Sequence, residues 1–466
     1  MRAAVVDLGA SNGRVVLGEV GKDVLRAEVL TRFPNHPVRL PDGLHWNLLG
    51  LYDGALDGLA TAVRRTGGDL VSAAVDSWAV DYGLLAGGRL LGAPYHYRDE
   101  ARAAGVDLVH AVVPPAELYA RTGLQFLPFT TVYQLAADTM VDRADRLLLV
   151  PDLVAHWLSG VEVSERTNAS TTGLLDVRTR CWDEDLITRL GLPARVFGEL
   201  VDPGSRLGPT TPRVTEHLGQ ELELVAVGSH DTASAVVAAP MANPDSAYIS
   251  CGTWGLVGVE LEQPVLTEAA RIANFTNELG VDGRVRFLTN VVGLWLLSET
   301  IRHWERAGEV SLPDLLAAAA DLPKAGPVID VGDERFLPPG DMPERIASWC
   351  HEHSLEPPRT RGAVVRCIIE SLAQAFAKAV EEAAGLSGRH VATIHVVGGG
   401  AMNDLLCQAI ANRSARTVVA GPVEATALGN LLVQARSSGA VTGDLEALRA
   451  LVARTQPLTR YTPQTG

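Results

Sequence analysis

The chain opens on an apolar run of strand length, residues 2–8 (RAAVVDL), which ends in Asp7 and Leu8; a polar turn, Gly9-Ala10-Ser11-Asn12-Gly13-Arg14, follows before Val15-Val16-Leu17 resumes the apolar pattern. This predicts strand, turn and strand. After Trp46 and Asn47 the period changes, and Leu48, Leu51, Leu56, Leu59 and Val63 mark one face of a helix running to about Arg65. Leu70–Val75 is a predicted strand that delivers Asp76-Ser77-Trp78-Ala79-Val80-Asp81-Tyr82 at its end. Leu84 to Leu91 follows as a hairpin turning at Gly87-Gly88, and then the polar-aromatic cluster Tyr95-His96-Tyr97-Arg98-Asp99. The stretch from Thr122 to Phe129 (TGLQFLPF) is unusually apolar for a connection and is predicted to fold back over a cleft. Arg146–Val150 reads as a short strand, and residues 161–180 as a hairpin-like segment with Asn168-Ala169-Ser170-Thr171-Thr172-Gly173 as its polar core.

A second strand-turn pattern begins at Val225–Gly228, breaks at Ser229-His230-Asp231 and enters an Ala-rich helical segment. Ala247–Ser250, a turn at Cys251-Gly252-Thr253 and Trp254–Glu260 then form a predicted hairpin. Phe287–Asn290 is a strand, Gly293–Trp304 a helix, and further helices fall at 312–321, 343–354 and about 361–384. His395-Val396-Val397 leads through Gly398-Gly399-Gly400 into another helix, and a last strand, Thr417–Val419, leads by Gly421-Pro422 into a closing helix. Pro240–Asp245 is the natural break, giving domains 1–243 and 244–466.

Composition narrows what these elements can do. At 466 residues and 47% hydrophobic, the chain can bury two cores, since single cores seldom grow past about 250–300 residues. Lys and Arg total 40 against 55 Asp and Glu, a net charge of −15 without a basic tract. Nucleic acid and anionic membrane are excluded as partners on that ground. The apolar stretch Leu147–Leu158 is interrupted by Pro151, Asp152 and His156, and no signal peptide precedes the first strand, so a soluble, cytoplasmic protein is expected. Five cysteines without a C-x-x-C pair argue against a zinc site or a disulfide framework; Cys350 and Cys367 are near enough in sequence to pair if the fold allows it.

The candidate chemistry sits where strands end. Asp231, closing a buried strand just ahead of a Gly-Thr turn, suits a base facing a phosphate and points to phosphoryl transfer. An Asp at a helix start also serves as an N-cap, and both readings stand at this level. Ser229, His230 and Asp231 are adjacent, whereas members of a hydrolytic triad converge from separated positions. The turn at 9–14 can aim backbone N–H groups at a phosphate, with Ser11, Asn12 and Arg14 adding donors. Two such hairpins, one opening each half of the chain, predict a duplicated domain clamping one polyphosphate. Asp76 and Asp81 bracketing Trp78 offer the carboxylates and aromatic face that bind a polyol, or else a solvated turn with a buried Trp. The bare backbone of Gly398–Gly400 can receive adenine.

Taken in order, VDLGASNGR, VDSWAVDYGLL, TGLQFLPF, SHDTASAV, SCGTWGL, NVVGLWLL, VVGGGAMN and AGPVEATALGN resemble the FGGY carbohydrate kinases of the actin and hexokinase superfamily over essentially the whole chain. Several of these stretches resemble the branch that phosphorylates L-rhamnulose on its 1-hydroxyl. The resemblance implies an α/β fold of two actin-like (ribonuclease H-like) domains, each a mixed sheet flanked by helices, with a cleft between them that closes on substrate. It implies ATP as co-substrate, Mg2+ as cofactor, a small ketose as the other partner and a monomer or homodimer. It makes Asp231 the catalytic base, with His230, Asp76, Trp78, Ala79 and Asp81 on the sugar side. Asp7 would hold the metal, largely through water. Gly9, Ala10, Ser11, Asn12, Gly13, Arg14, Thr253, Asn290, Ser298 and Gly399 would contact ATP. Ala79 stands where the resemblance leads one to expect Gly, and Ser298 where it leads one to expect Gln. A kinase for another ketose or polyol, such as L-fuculose or L-xylulose, is the nearest alternative; a non-enzymatic ATP-binding scaffold or sugar sensor is one of a different class.

Overall fold

The computed structural model describes residues 1–322 and 326–464. The chain forms two compact units, one of residues 1–240, 261–287 and 424–456, the other of 241–260, 288–423 and 457–466. The first division falls at Pro240, and the chain returns to the first unit twice.

The first unit is built on β1 (Arg2–Leu8), β2 (Asn12–Gly21), β3 (Val24–Pro34), α1 (Leu48–Thr66), β4 (Ser72–Ser77), β5 (Arg206–Pro209), β6 (Glu223–Val225) and α2 (Asp231–Val237). Its mixed sheet runs β5-β6-β4-β1-β2-β3, with β4 parallel to both β1 and β6 and the outer pairs antiparallel. β1 and β4 are buried almost throughout, as unbroken apolar runs predict for central strands. Asn47 caps α1 through Gly50 N, and Gly67 ends it in the left-handed region at φ +66°. The apolar stripe of α1, including Leu51, Leu59 and Val63, packs with Trp46, Leu8 and Val75 in the core.

The helix Ala425–Ser437 crosses α2 so closely that a Cβ on Gly429 would lie 1.8 Å from Ser234 O. Its polar face reaches the sheet, with Gln434 donating to Ala4 O and accepting from Ser72 Oγ, and Asn430 donating to Asp76. These contacts fix α2, and so Asp231, against the ends of β1 and β4.

The second unit has β7 (Ser246–Cys251), β8 (Trp254–Leu261), β9 (Val285–Val292), α3 (Trp295–Glu305), α4 (Arg361–Ser387), β10 (Thr393–Val397), α5 (Asp404–Ser414), β11 (Thr417–Ala420) and β12 (Thr459–Tyr461). The unit takes β8 only to Glu260 and β9 from Leu288 on. β7 is antiparallel to β8 and parallel to β10; β10 is parallel to β11, and β11 antiparallel to β12. α4 buries Val365, Ile368, Ile369, Leu372, Phe376 and Val380, the stripe expected from its sequence.

Several expectations change. The segment 161–180 holds a helical turn, Arg166–Ala169, rather than a hairpin's polar core, because its hydroxyls satisfy themselves locally. Ser170, Thr171 and Thr172 each donate to the backbone carbonyl three residues earlier at 2.7 Å, which lets them lie buried. The helix after Gly421-Pro422 is followed by another, Leu445–Thr455, and by β12, so it closes neither the chain nor the fold. All five cysteines are free, including Cys350 and Cys367. Among the described residues no helix is long and apolar enough to cross a membrane.

Candidate active site

Register assembles the first part of the site. Asp7 lies opposite Arg14 on β2 and opposite Asp76 on β4, so three charged side chains share one sheet face. Arg14 donates to Asp7 Oδ2 from Nε at 2.7 Å and pairs with the same oxygen through Nη2 at 2.6 Å; its Nη1 pairs with Glu424 at 2.5 Å. Burial opposes the Arg14 charge, but Asp7 and Glu424 outweigh it and hold the guanidinium above its ordinary pKa. Asp76 is fully buried, accepts from Asn430 Nδ2 at 2.5 Å through Oδ2, and among the described residues has no partner for Oδ1. Burial, then the nearby Asp7, raise the Asp76 carboxyl well above its usual range. The fold therefore sets Asp76 with Asp7 and Arg14, within electrostatic reach of Asp231, at the anionic end of the site.

Asp231 is the first residue of α2; His230 is the N-cap, without a side-chain cap bond. The N-cap place thus falls to His230 and not to Asp231, whose carboxylate accepts from Thr232 Oγ1 at 3.0 Å and faces the His230 ring. About a third of the side chain, 35%, remains exposed, enough for a ligand to reach. Burial first and Asp7 second raise its pKa, while His230 and Thr232 pull it down. The loop carrying Asp231 is pinned from behind. Ser77 N donates to Ser229 O, and Ser229 donates from N and Oγ to the buried Glu165 carboxylate at 3.0 and 2.8 Å. Glu165 also accepts from Thr167 N and Oγ1 and from Asn168 N. Glu165, Asn430 and Glu424 were not assigned to the site from sequence; Glu424 and Asn430 lie within the stretch AGPVEATALGN, and Glu165 is a polar position beside an apolar stretch.

His230 touches two further residues that the sequence did not single out. Its Nδ1 lies 3.1 Å from Arg286 Nη2 and 3.2 Å from Glu278 Oε2, and Arg286 Nη2 pairs with Glu278 Oε2 at 3.0 Å.

The stretch after β4 forms an aromatic cage. Asp81 is fully buried and accepts from Trp46 Nε1 at 2.6 Å, Trp78 Nε1 at 3.0 Å and Gln134 Nε2 at 3.0 Å. Trp46 packs against Trp78 and stacks on His96, which leads to Tyr97 and Phe129. Burial raises the Asp81 carboxyl to about 6 although all these donors oppose it. With its oxygens taken by these donors, Asp81 anchors rings rather than offering itself to a ligand. Ala79, half-buried, precedes a strained turn: Val80 sits at φ +68°, Asp81 N bonds Ala79 O, and Thr131 Oγ1 holds Val80 O at 2.6 Å. Beside the cage a cavity of about 260 Å³ is lined by Tyr95, Tyr97, Arg98, Arg102, Phe129 and Gln134, among others. The 122–129 loop lies over the 265–277 segment of the same unit, with Phe126 N on Asn274 Oδ1 and Asn277 N on Gly123 O.

At the first turn Ala10, Ser11 and Asn12 are exposed and Gly9 N closes on Asn12 O. Neither Gly9 nor Gly13 has a positive φ, so the turn does not depend on a left-handed glycine at either position. Gly13 is small because a Cβ there would lie 2.1 Å from the Phe33 ring. In the second unit Gly252 and Thr253 form an exposed turn whose carbonyls accept from Leu294 N and from Gly293 N and Trp295 N. Asn290 Oδ1 is buried without a partner among the described residues, and Ser298 is exposed on α3. Gly398 takes φ +81°, and a Cβ on Gly400 would meet Cys251 Sγ at 2.4 Å, so Cys251 backs this turn while Gly399 stays half-exposed.

Among the described residues no group of three His, Cys, Asp or Glu is set to cage a metal. The donors at hand are carboxylate oxygens. Arg14 meets only Oδ2 of Asp7, and Asp76 Oδ1 is unpartnered. That suits a hard cation carried mainly by phosphate and water, not an enclosed site.

Residues 91–238 match the model for the FGGY family of carbohydrate kinases, N-terminal domain, and residues 247–438 match the C-terminal domain of the same family. The chain is 38% identical to a rhamnulokinase from Bacteroides thetaiotaomicron, covering 98% of this chain and 95% of that protein. It is 40% identical to a rhamnulokinase from Pectobacterium carotovorum, covering 98% and 92%. One from Oceanobacillus iheyensis is 37% identical, covering 98% and 97%. In fold it resembles a ligand-bound xylulose kinase from Lactobacillus acidophilus, with a TM-score of 0.81 at 15% identity over 99% of this chain and 94% of that one. A Plasmodium falciparum glycerol kinase with ADP gives 0.77 at 12% identity, covering 99% and 94%.

Proposed function

This chain belongs to the FGGY family of carbohydrate kinases, phosphotransferases acting on a sugar hydroxyl, and on that premise we propose that it transfers the γ-phosphate of ATP to the 1-hydroxyl of L-rhamnulose, giving L-rhamnulose 1-phosphate and ADP. The observation that carries the sugar is likeness to rhamnulokinases at 37–40% identity across 98% of the chain. The free cysteines are in keeping with a reducing, cytoplasmic setting.

In this reading Asp231 takes the proton of the attacking hydroxyl. Its base form is needed, so turnover falls as pH drops through its raised pKa. His230 binds the sugar beside it. Trp78 and Ala79 form the wall, held in place by Asp81, and the cavity lined by Tyr97 and Phe129 has room for a six-carbon ketose. Residues 9–14 hold phosphate through exposed N–H groups and Arg14, whose charge is kept by Asp7 and Glu424. Within the second unit, the residues we assign to the nucleotide are Thr253, Asn290, Ser298 and the open backbone of Gly399. Family membership implies a divalent metal, and we take it to be Mg2+, with Asp7 and the unpartnered oxygen of Asp76 as the groups that would hold it, largely through water. When bound, the ion would offset charge on the phosphates.

The test is ADP release over a panel of ketoses, aldoses and glycerol. A strong signal with L-rhamnulose and weak ones with L-fuculose and L-xylulose is the expected result. A stronger signal with another sugar would reassign the substrate, and none with any sugar would remove the kinase reading.

A further inference from the structure

The His230 ring is held by more than its place at a helix start. Arg286 is fully buried on β9, where its Nε donates to Leu279 O at 3.2 Å and its Nη2 lies 3.1 Å from His230 Nδ1. A guanidinium is always protonated and has no acceptor, so this contact is a hydrogen bond only if Nδ1 accepts. A neutral imidazole whose Nδ1 accepts must carry its proton on Nε2. Glu278 lies 3.2 Å from the same Nδ1, but its Oε2 makes no hydrogen bond of good geometry and instead pairs with Arg286 at 3.0 Å. Its task is to neutralise the buried guanidinium; burial would push the Glu278 carboxyl up, and Arg286 is the main group that brings it below its ordinary value. On the other edge of the ring, Nε2 faces Asp231 Oδ1 at 3.5 Å, longer than a hydrogen bond.

We infer that Arg286, with Glu278, is a positioning residue that locks His230 in the Nε2–H tautomer, so that the ring beside the base is a fixed hydrogen-bond donor to a sugar oxygen. The inference rests on the proposed function only in naming that oxygen as a ketose's. A fixed donor favours substrates with an oxygen lone pair next to the reacting hydroxyl. It also leaves proton acceptance to Asp231 alone, since neither ring nitrogen has a free lone pair.

The physics of buried ion pairs supplies a clean variant. A buried Arg-Glu pair adds little net stability over packed apolar side chains, and here Arg286 Nη1 has no partner among the described residues, which makes the pair costlier still. Glu278→Leu with Arg286→Met therefore folds as stably as the parent, whereas either single substitution strands a charge. The first readout is nitrogen NMR of protein labelled in histidine, without sugar or nucleotide, the His230 signals being assigned by their loss in His230→Gln. The parent should show the Nε2–H tautomer at neutral pH, and the double variant a mixture of both. The second readout is kinetic: the sugar KM of the double variant should rise roughly tenfold, about one neutral hydrogen bond, while the ATP KM is unmoved.

An Nδ1–H tautomer or an imidazolium in the parent would overturn the inference, and so would a double variant with unchanged tautomer and unchanged sugar KM. Because the NMR needs no substrate, a wrong sugar assignment would leave that result standing. A double variant that failed to fold would still leave the parent spectrum to decide.

Discussion

Asp81 lets the account of the aromatic cage be tested by stability alone. Burial raises its carboxyl from the ordinary 3.8 to about 6. The unfolded chain releases this proton near pH 4, while the folded chain keeps it until about pH 6. Folding stability from this group is therefore undiminished below pH 4, falls as pH rises from 4 to 6, and is level above that. At about 1.4 kcal/mol per pH unit the gap amounts to about 3 kcal/mol. Asp81→Asn cannot ionise, so its stability relative to the parent should improve by about that amount between pH 4 and pH 7. A constant offset is superimposed, because an amide cannot accept from Trp46, Trp78 and Gln134 together and leaves a buried donor unmet, at about 1–3 kcal/mol. Urea unfolding of both proteins at pH 4, 5, 6 and 7 separates the offset from the slope, and other carboxylates cancel in the difference. A parent-variant difference that is flat over this range would refute the reasoning, and with it the picture of Asp81 as a buried anchor.

Three further outcomes follow from the geometry. Gly13→Ala, whose Cβ would lie 2.1 Å from Phe33, should lose about 1–3 kcal/mol by overpacking, and adding Phe33→Leu should recover both stability and activity; activity that stayed lost would restore a phosphate-binding reason for the glycine. Thr253→Val keeps the exposed turn but removes its hydroxyl, so the ATP KM should rise while the sugar KM holds; a loss confined to the sugar would contradict the assignment. Ala79→Gly, next to the strained Val80, should shift relative KM values among ketoses by an amount worth about 1–3 kcal/mol, and an unchanged preference would place the sugar wall elsewhere.

Strand ends and turns were legible at Asp7 and Asp76 because apolar runs stop abruptly there, and because hairpin spacing is local; the strand expected over Val225–Gly228 ends already at Val225, and Asp231 instead opens α2. What the sequence could not convey was register. That Asp76 lies opposite Asp7 depends on a parallel pairing across about seventy residues. The partners of Glu165, Glu278, Arg286, Glu424 and Asn430 were not legible for the same reason: each meets a residue distant in the chain, although Glu424 and Asn430 lie within the stretch AGPVEATALGN. The segment after Glu165 misled because hydroxyls that bond their own turn look, in sequence, like solvated loop. Glycines misled in the other direction: Gly13 and Gly400 are small to admit Phe33 and Cys251, a packing demand with no local signature.

The most direct test of phosphoryl transfer at this site is Asp231→Asn. The amide is nearly isosteric and can still accept from Thr232, and since His230 is the N-cap, no cap is lost. It cannot take a proton from an attacking hydroxyl at neutral pH. Steady-state kinetics with ATP and the preferred ketose, beside calorimetric binding of each, should show both ligands bound with near-parental affinity and kcat lower by about 10²–10⁴-fold. Near-parental kcat in a folded Asp231→Asn protein would contradict the assignment of Asp231 as the base.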